Sequence, residues 1–295
     1  MTNFCSSRRF LALLLLSMSA LKLTHAMNMF RKCLLKTTAV SVALSFGLPL
    51  APAEVLAAPR AMHRKCGNLE LDMEFIGAGG SGTVYRGDIP DKESVVVKVS
   101  RKASENSVKR EAAILIKLAE KGVSNVERFI DSCDMDIGDG RYFAGVFRPY
   151  LNPPEAPSIA TIKDDASGAM KVKASRQLMR AVVEMVNADI ALTDLQLLIE
   201  PGTGCLLVID LTEAESLHLA QGLSFHDKAA VASFFGEAIG FVEEAMAKAP
   251  NKKIRDNIRD AALDGVKDGI AGTSLSESVL GLVDELTGGL KRGIV

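Results

Sequence analysis

The chain has no tryptophan and only 3 tyrosines among its 295 residues. Stacking platforms for single-stranded nucleic acid need clustered aromatics, so that class of function is set aside. Charge of one sign is lacking too. With 35 Lys and Arg against 36 Asp and Glu, the net charge is −1, which leaves no basic footprint for a phosphate backbone. Cysteine is sparse and never spaced C-x-x-C. Cys5 and Cys33 fall near the N-terminus, and Cys66, Cys133 and Cys205 remain, an odd and scattered set. This set predicts neither a zinc site nor a disulfide framework. His25, His63, His218 and His226 are equally scattered and read as surface or partly buried residues. What the chain does have is apolar content, 48% of its residues, enough for the core of one two-lobed domain or two small ones.

Part of that apolar content belongs to residues 1–58, which read as a targeting segment. Arg8-Arg9 precede a leucine-rich run that ends near Thr24-His25-Ala26, and Met29-Phe30-Arg31-Lys32 opens a second run with small-residue cleavage candidates at Ala51-Pro52-Ala53 and Val55-Leu56-Ala57. Each run alone has the order of a secretory signal. A true start at Met27 or Met29 would account for the tandem. Lys22, Lys36 and the shortness of the runs argue against full membrane spans, so no stable span is expected after cleavage.

From residue 69 to 99 the chain reads as three strands, after a short linker at 58–65. Residues 104–121 carry Val108, Ala112, Leu115 and Leu118 at helical spacing and close on Lys121-Gly122. A strand pair is expected at 126–132 and 142–151, turning at 136–140, and the proline cluster at 152–157 marks the best internal boundary. Beyond it come a helix at 174–188, two short strands at 195–200 and 205–210 around Pro201-Gly202-Thr203-Gly204, and helices at 226–249, 252–266 and toward the end. Phe234, Phe235, Ile239, Phe241 and Val242 read as core rather than as a docking surface.

The chemistry starts at residues 76–85, Ile-Gly-Ala-Gly-Gly-Ser-Gly-Thr-Val-Tyr. Gly77, Gly79, Gly82 and Val84 fill the pattern G-x-G-x-x-G-x-V, with Ile76, Gly80 and Ser81 completing the loop. Between two strands, such glycines let backbone N–H groups close over nucleotide phosphates without Cβ interference. A dinucleotide site would need a helix after the glycines, whereas Thr83-Val84-Tyr85 continues as a strand. A Walker loop would need G-K-[ST], which is missing. Lys98, in the next apolar run, is placed to reach the phosphates. Glu111 stands one turn before Leu115 on the following helix and is expected to hold Lys98 in place. Further on, Asp194 and Asp210 flank one hairpin and should meet at its open end. One carboxylate would orient a substrate hydroxyl while the other binds magnesium, with Gln196 as a neutral oxygen ligand. Asp189 is a rival for the role of Asp194.

Gly77–Val84, Lys98 and Glu111 resemble the protein-kinase small lobe. The stretch from Asp194-Leu195-Gln196 to Val208-Ile209-Asp210 is similar to the catalytic hairpin of the Hop-type minimal effector kinases of plant-associated bacteria. The resemblance covers roughly residues 70–220. It implies an α+β, reduced two-lobed protein-kinase-like fold, with a β-rich small lobe at 59–152 and a helical large lobe at 153–295. It implies ATP as phosphoryl donor with Mg2+, transfer to Ser or Thr of a host protein, and, in that family, a host heat-shock chaperone as acceptor. Secretion followed by action in the host cytosol goes with it. The chain also departs from ordinary protein kinases. Leu192-Thr193 replace His-Arg before Asp194, Gln196 is the nearest substitute for the missing asparagine, and Asp210-Leu211-Thr212 replaces Asp-Phe-Gly. No Ala-Pro-Glu or long activation segment follows. These losses keep a nucleotide-binding pseudokinase scaffold as the alternative. A small-molecule phosphotransferase ranks third, because its His-Gly-Asp is missing.

Overall fold

The computed structural model describes residues 62–78, 82–89, 94–101, 105–136, 140–148, 159–162, 168–200 and 202–292. The chain divides into Met1–Ala58 and Pro59–Val295. Residues 1–58, expected to be a targeting segment, and the proline cluster at 152–157 lie outside the described residues. What is described is a mixed α/β chain, with strands crowding its first half and helices its second.

Six strands form one antiparallel sheet: β1 (Met62–Cys66), β2 (Leu69–Ala78), β3 (Gly82–Asp88), β4 (Ser94–Ser100), β5 (Arg128–Asp136) and β6 (Arg141–Arg148). Their order is β1-β2-β3-β4-β6-β5. Val95, Val97 and Val99 alternate with Val96 and Lys98 along β4, so the two sets face opposite sides. The first set packs with Leu71, Met73, Tyr85, Met135, Ala144 and Val146 in a core of its own. The sheet curls as a half-barrel over this core.

At two places the structure differs from what the sequence predicts. Residues 62–65 are not linker but most of β1, which pairs with β2 through the Gly67-Asn68 turn. Its alternation is disguised because His63 and Lys65 point outward. Cys66 and Cys133 form a disulfide with a Cα–Cα distance of 5.2 Å, although no disulfide framework was expected. The two lie 67 residues apart in sequence, and only the curl brings the edge strands β1 and β5 together. Spacing along the chain carries no sign of that. Cys205 remains free.

Helix α1 (Glu105–Glu120) lies between β4 and β5 in sequence and buries Val108, Glu111, Ala112, Leu115 and Leu118 on one face. A carboxylate on this stripe requires a partner. The helix ends with Gly122 at φ 70°, and the Val123 N–H donates to Leu118 C=O at 3.0 Å, a left-handed helix stop.

The second half is built on α2 (Ala169–Asn187), which buries Ala174, Leu178, Ala181, Val182, Met185 and Val186. It starts five residues earlier than the apolar spacing implied. After it come β7 (Ile190–Leu192), the hairpin of β8 (Gln196–Ile199) and β9 (Leu206–Ile209), and β10 (Ala214–Ser216), which pairs with β7. Helices α3 (Phe225–Ala247), α4 (Lys252–Ala271) and α5 (Glu277–Arg292) complete the chain. Phe234, Phe235 and Val242 of α3 are fully buried, with Ile239 and Phe241 packed against the same core. Among the described residues, no helix is long and apolar enough to cross a membrane.

Candidate active site

Lys98 stands in a row that crosses the sheet. Gly77 pairs with Val84, Val84 with Lys98, and Lys98 with Gly145. Directly opposed residues share a face, so the row sets the end of the glycine turn beside the lysine. Gly79, Gly80 and Ser81 lie outside the described residues, and Ile76, Gly77, Gly82 and Val84 frame them. The β2–β3 register shifts between Phe75 and Gly77. The intervening Ile76 is 39% exposed, as a bulge that re-aims a side chain would leave it. Gly82 has φ 155°, and a Cβ there would stand 2.2 Å from the Val99 carbonyl oxygen. Only glycine lets β3 leave the turn this close to β4. At Gly77 an added Cβ would meet nothing within 4 Å among the described residues.

The Lys98 ammonium donates to Glu111 Oε1 at 2.5 Å and to Glu127 Oε1 at 2.8 Å. The Phe147 ring centroid lies 4.9 Å from the same nitrogen, a favourable placement for a cation. Burial works against the charge on Lys98, but the two carboxylates outweigh it and hold the ammonium above the usual lysine range. For Glu111, burial outweighs the pull of Lys98, and its carboxyl is pushed up to about 8. Its Oε2 atom is buried with no hydrogen-bond partner among the described residues, a position that disfavours the charged form.

The two carboxylates also reach the end of β9. Glu127 Oε1 accepts the Asp210 N–H at 3.0 Å, and Glu111 Oε1 accepts the Leu211 N–H at 2.9 Å. The link is reinforced alongside. The Glu127 N–H donates to Val208 C=O at 3.0 Å and the Val208 N–H to Asn125 C=O at 2.8 Å, while the Arg110 guanidinium donates to Ala214 C=O. The lysine is thus tied to the backbone at Asp210 through Glu127 and at Leu211 through Glu111.

Asp194 and Asp210 lie just outside the open end of the β8–β9 hairpin, where Gln196 pairs with Ile209. The Gln196 amide donates to Asp194 Oδ2 at 3.3 Å. The loop carrying Asp194 is pinned on both sides, by the Thr193 hydroxyl to Glu213 C=O at 3.0 Å and by the Leu195 N–H to Glu237 Oε2 at 2.8 Å. Asp210 has φ 56°, uncommon for a residue with a side chain, and its Oδ1 accepts from the Thr212 hydroxyl at 2.8 Å. Asp189 sits at the other end of β7 from Asp194, at φ 58° in the turn after α2, away from the hairpin mouth. Among the described residues, no three His, Cys, Asp or Glu side chains converge as a metal cage. One carboxylate and one amide oxygen are nonetheless a fitting donor set for Mg2+, which keeps several waters and takes further oxygens from phosphates.

Sequence reasoning missed Glu127 and Glu237. Glu127 did leave a trace: it has the same strand parity as the apolar Phe129, and a carboxylate on an apolar face calls for a cation. Glu237 left none, because helix spacing does not show which neighbouring backbone a glutamate will cap. No protein-family model matches the chain, and no curated protein matches it.

Proposed function

We propose that the chain is an ATP-dependent protein kinase of reduced, two-lobed design, with residues 59–152 as small lobe and 153–295 as large lobe. The observation that carries this reading is the Lys98–Glu111 pair at 2.5 Å, in register with a glycine turn and tied to the Leu211 N–H beside Asp210. A lysine on a strand and a glutamate on the next helix must be joined for phosphoryl transfer in protein kinases. The roles follow from position. Gly77, Gly79, Gly80, Ser81 and Gly82 cover the phosphates, Ile76 and Val84 cover the base, and Lys98 meets the phosphates as a point charge. Asp194 orients the acceptor hydroxyl and takes up its proton. Asp210 and Gln196 would hold Mg2+, which neutralises charge on the transferring phosphoryl group.

The wider reading is an exported effector that phosphorylates Ser or Thr of a host protein in the host cytosol, a heat-shock chaperone being the acceptor the sequence resemblance names. The Cys66–Cys133 disulfide supports passage through an oxidising compartment, where such bonds form. Cys66 has no exposed surface and Cys133 is half-buried. The test is incubation of the full chain with γ-labelled ATP and a host-cell lysate, followed by mass spectrometry of phosphosites. Label on discrete Ser or Thr sites that disappears with Asp194→Ala supports the reading. Bound nucleotide with no transferred label returns the chain to the scaffold alternative.

A further inference from the structure

We propose that Glu127 is a second positioning carboxylate of this site, fastening Lys98 to the strand that carries Asp210 independently of helix α1. The inference rests on the kinase reading and adds to it a residue and a task.

Lys98 already has one buried carboxylate partner in Glu111. Burying a second carboxylate is costly in lost hydration unless it is well paired. Glu127 is 3% exposed, and a single oxygen of it meets both the Lys98 ammonium at 2.8 Å and the Asp210 N–H at 3.0 Å. Glu111 repeats the arrangement one residue on, with Lys98 at 2.5 Å and the Leu211 N–H at 2.9 Å. The two differ in what holds them. Glu111 rides on α1. Glu127 is held on β9 itself, through its own N–H to Val208 and through Asn125. A shift of α1 would therefore break the first bridge and leave the second intact.

Asp210 gives this bridge its purpose. Its left-handed backbone, φ 56°, persists only where the surroundings over-determine it. The N–H bond to Glu127 is one such constraint, placed on the residue that would hold the metal. Only 14 residues separate Asp210 from Phe225, the start of α3. This leaves no long segment to fold back and brace the aspartate, and Glu127 supplies that bracing from the other side.

Glu127→Gln keeps the size and removes the charge. In the full chain, the readouts are the Mg2+ concentration giving half-maximal ATP turnover, kcat, and the affinity for ADP in EDTA. Supporting residues around a metal change metal affinity or activity by about 10–100-fold. The expected result is a rise of that order in the Mg2+ requirement and a matching fall in kcat, with a clearly smaller loss of metal-free ADP affinity because Glu111 still holds Lys98. An unchanged Mg2+ requirement and kcat overturn the proposal, as does equal loss of ADP and Mg2+ binding, which marks a merely structural role. Should Glu127→Gln melt below assay temperature, Glu127→Asp takes its place. It keeps the charge with a shorter reach, and a Mg2+ requirement above wild type supports the role while a wild-type value overturns it. Wild-type protein that binds no MgATP defeats the kinase reading first, and this inference with it.

Discussion

At the residue scale, Glu111 is the group whose environment makes the clearest demand. Its carboxyl rises from an ordinary 4.5 to about 8 because burial outweighs the nearby ammonium of Lys98. Between those values the folded chain keeps a proton that the unfolded chain releases, so stability falls as pH rises through that window. The contribution is complete below 4.5 and lost above about 8. Asp227 acts in the opposite sense. The Ser224 hydroxyl donates to it and holds its carboxyl low, so its contribution is present above the ordinary carboxylate range and lost only in acid. Thermal melting between about pH 5.5 and pH 8.5 should therefore fall with rising pH, and Glu111→Gln should flatten that slope. A slope that survives the substitution contradicts the account of Glu111. Lys98 and Glu111 were legible in the sequence because one interrupts an apolar strand and the other an apolar helix stripe. Glu127 was harder to find, since its partners, Lys98 and the Asp210 N–H, are both far away along the chain.

At the element scale, the glycine turn joins two different requirements. Gly82 is needed by the fold, because a Cβ would stand 2.2 Å from the Val99 carbonyl. Gly77 meets no described residue where a Cβ would stand, and under the proposed function its requirement comes from the bound nucleotide. Gly82→Ala should cost about 1–3 kcal/mol of stability through overpacking and backbone strain. Gly77→Ala should leave the melting temperature near wild type and weaken ATP binding. Calorimetric melting together with nucleotide titration separates the two, and a Gly77→Ala variant with wild-type ATP affinity would remove the loop from the site. Strands β2–β4 and the hairpin of β8 and β9 could be read from alternation and turn residues within a residue or two. Strands β1, β7 and β10 were not. Each is short, and each is defined by a partner supplied from elsewhere, such as β10 lying against β7.

At the scale of the whole molecule, the curled sheet is closed by the bond between Cys66 and Cys133. A link spanning 67 residues removes loop-closure entropy from the unfolded chain worth about 2–4 kcal/mol. Replacing both cysteines by alanine should lower stability by about that amount in denaturant titration. Equal midpoints for the oxidised protein and the double variant would show that the bond contributes nothing. The bond lies on the side of the sheet away from Lys98, so nucleotide affinity should survive the change. The general class of mixed strands and helices was readable from the sequence. The closure of the sheet was not, because a disulfide between edge strands depends on curvature, which no local pattern encodes. Under the proposed function the glycine turn, Lys98 and the Asp194–Asp210 hairpin together transfer a phosphoryl group. The most direct test is transfer of labelled phosphate from MgATP by the purified full chain, alongside Lys98→Ala and Asp210→Ala. The expected result is Mg2+-dependent transfer by wild type and its loss in both variants, each assayed at a temperature where circular dichroism shows it folded. Transfer that persists in Asp210→Ala, or wild-type protein that neither binds MgATP nor transfers its phosphate, would contradict it.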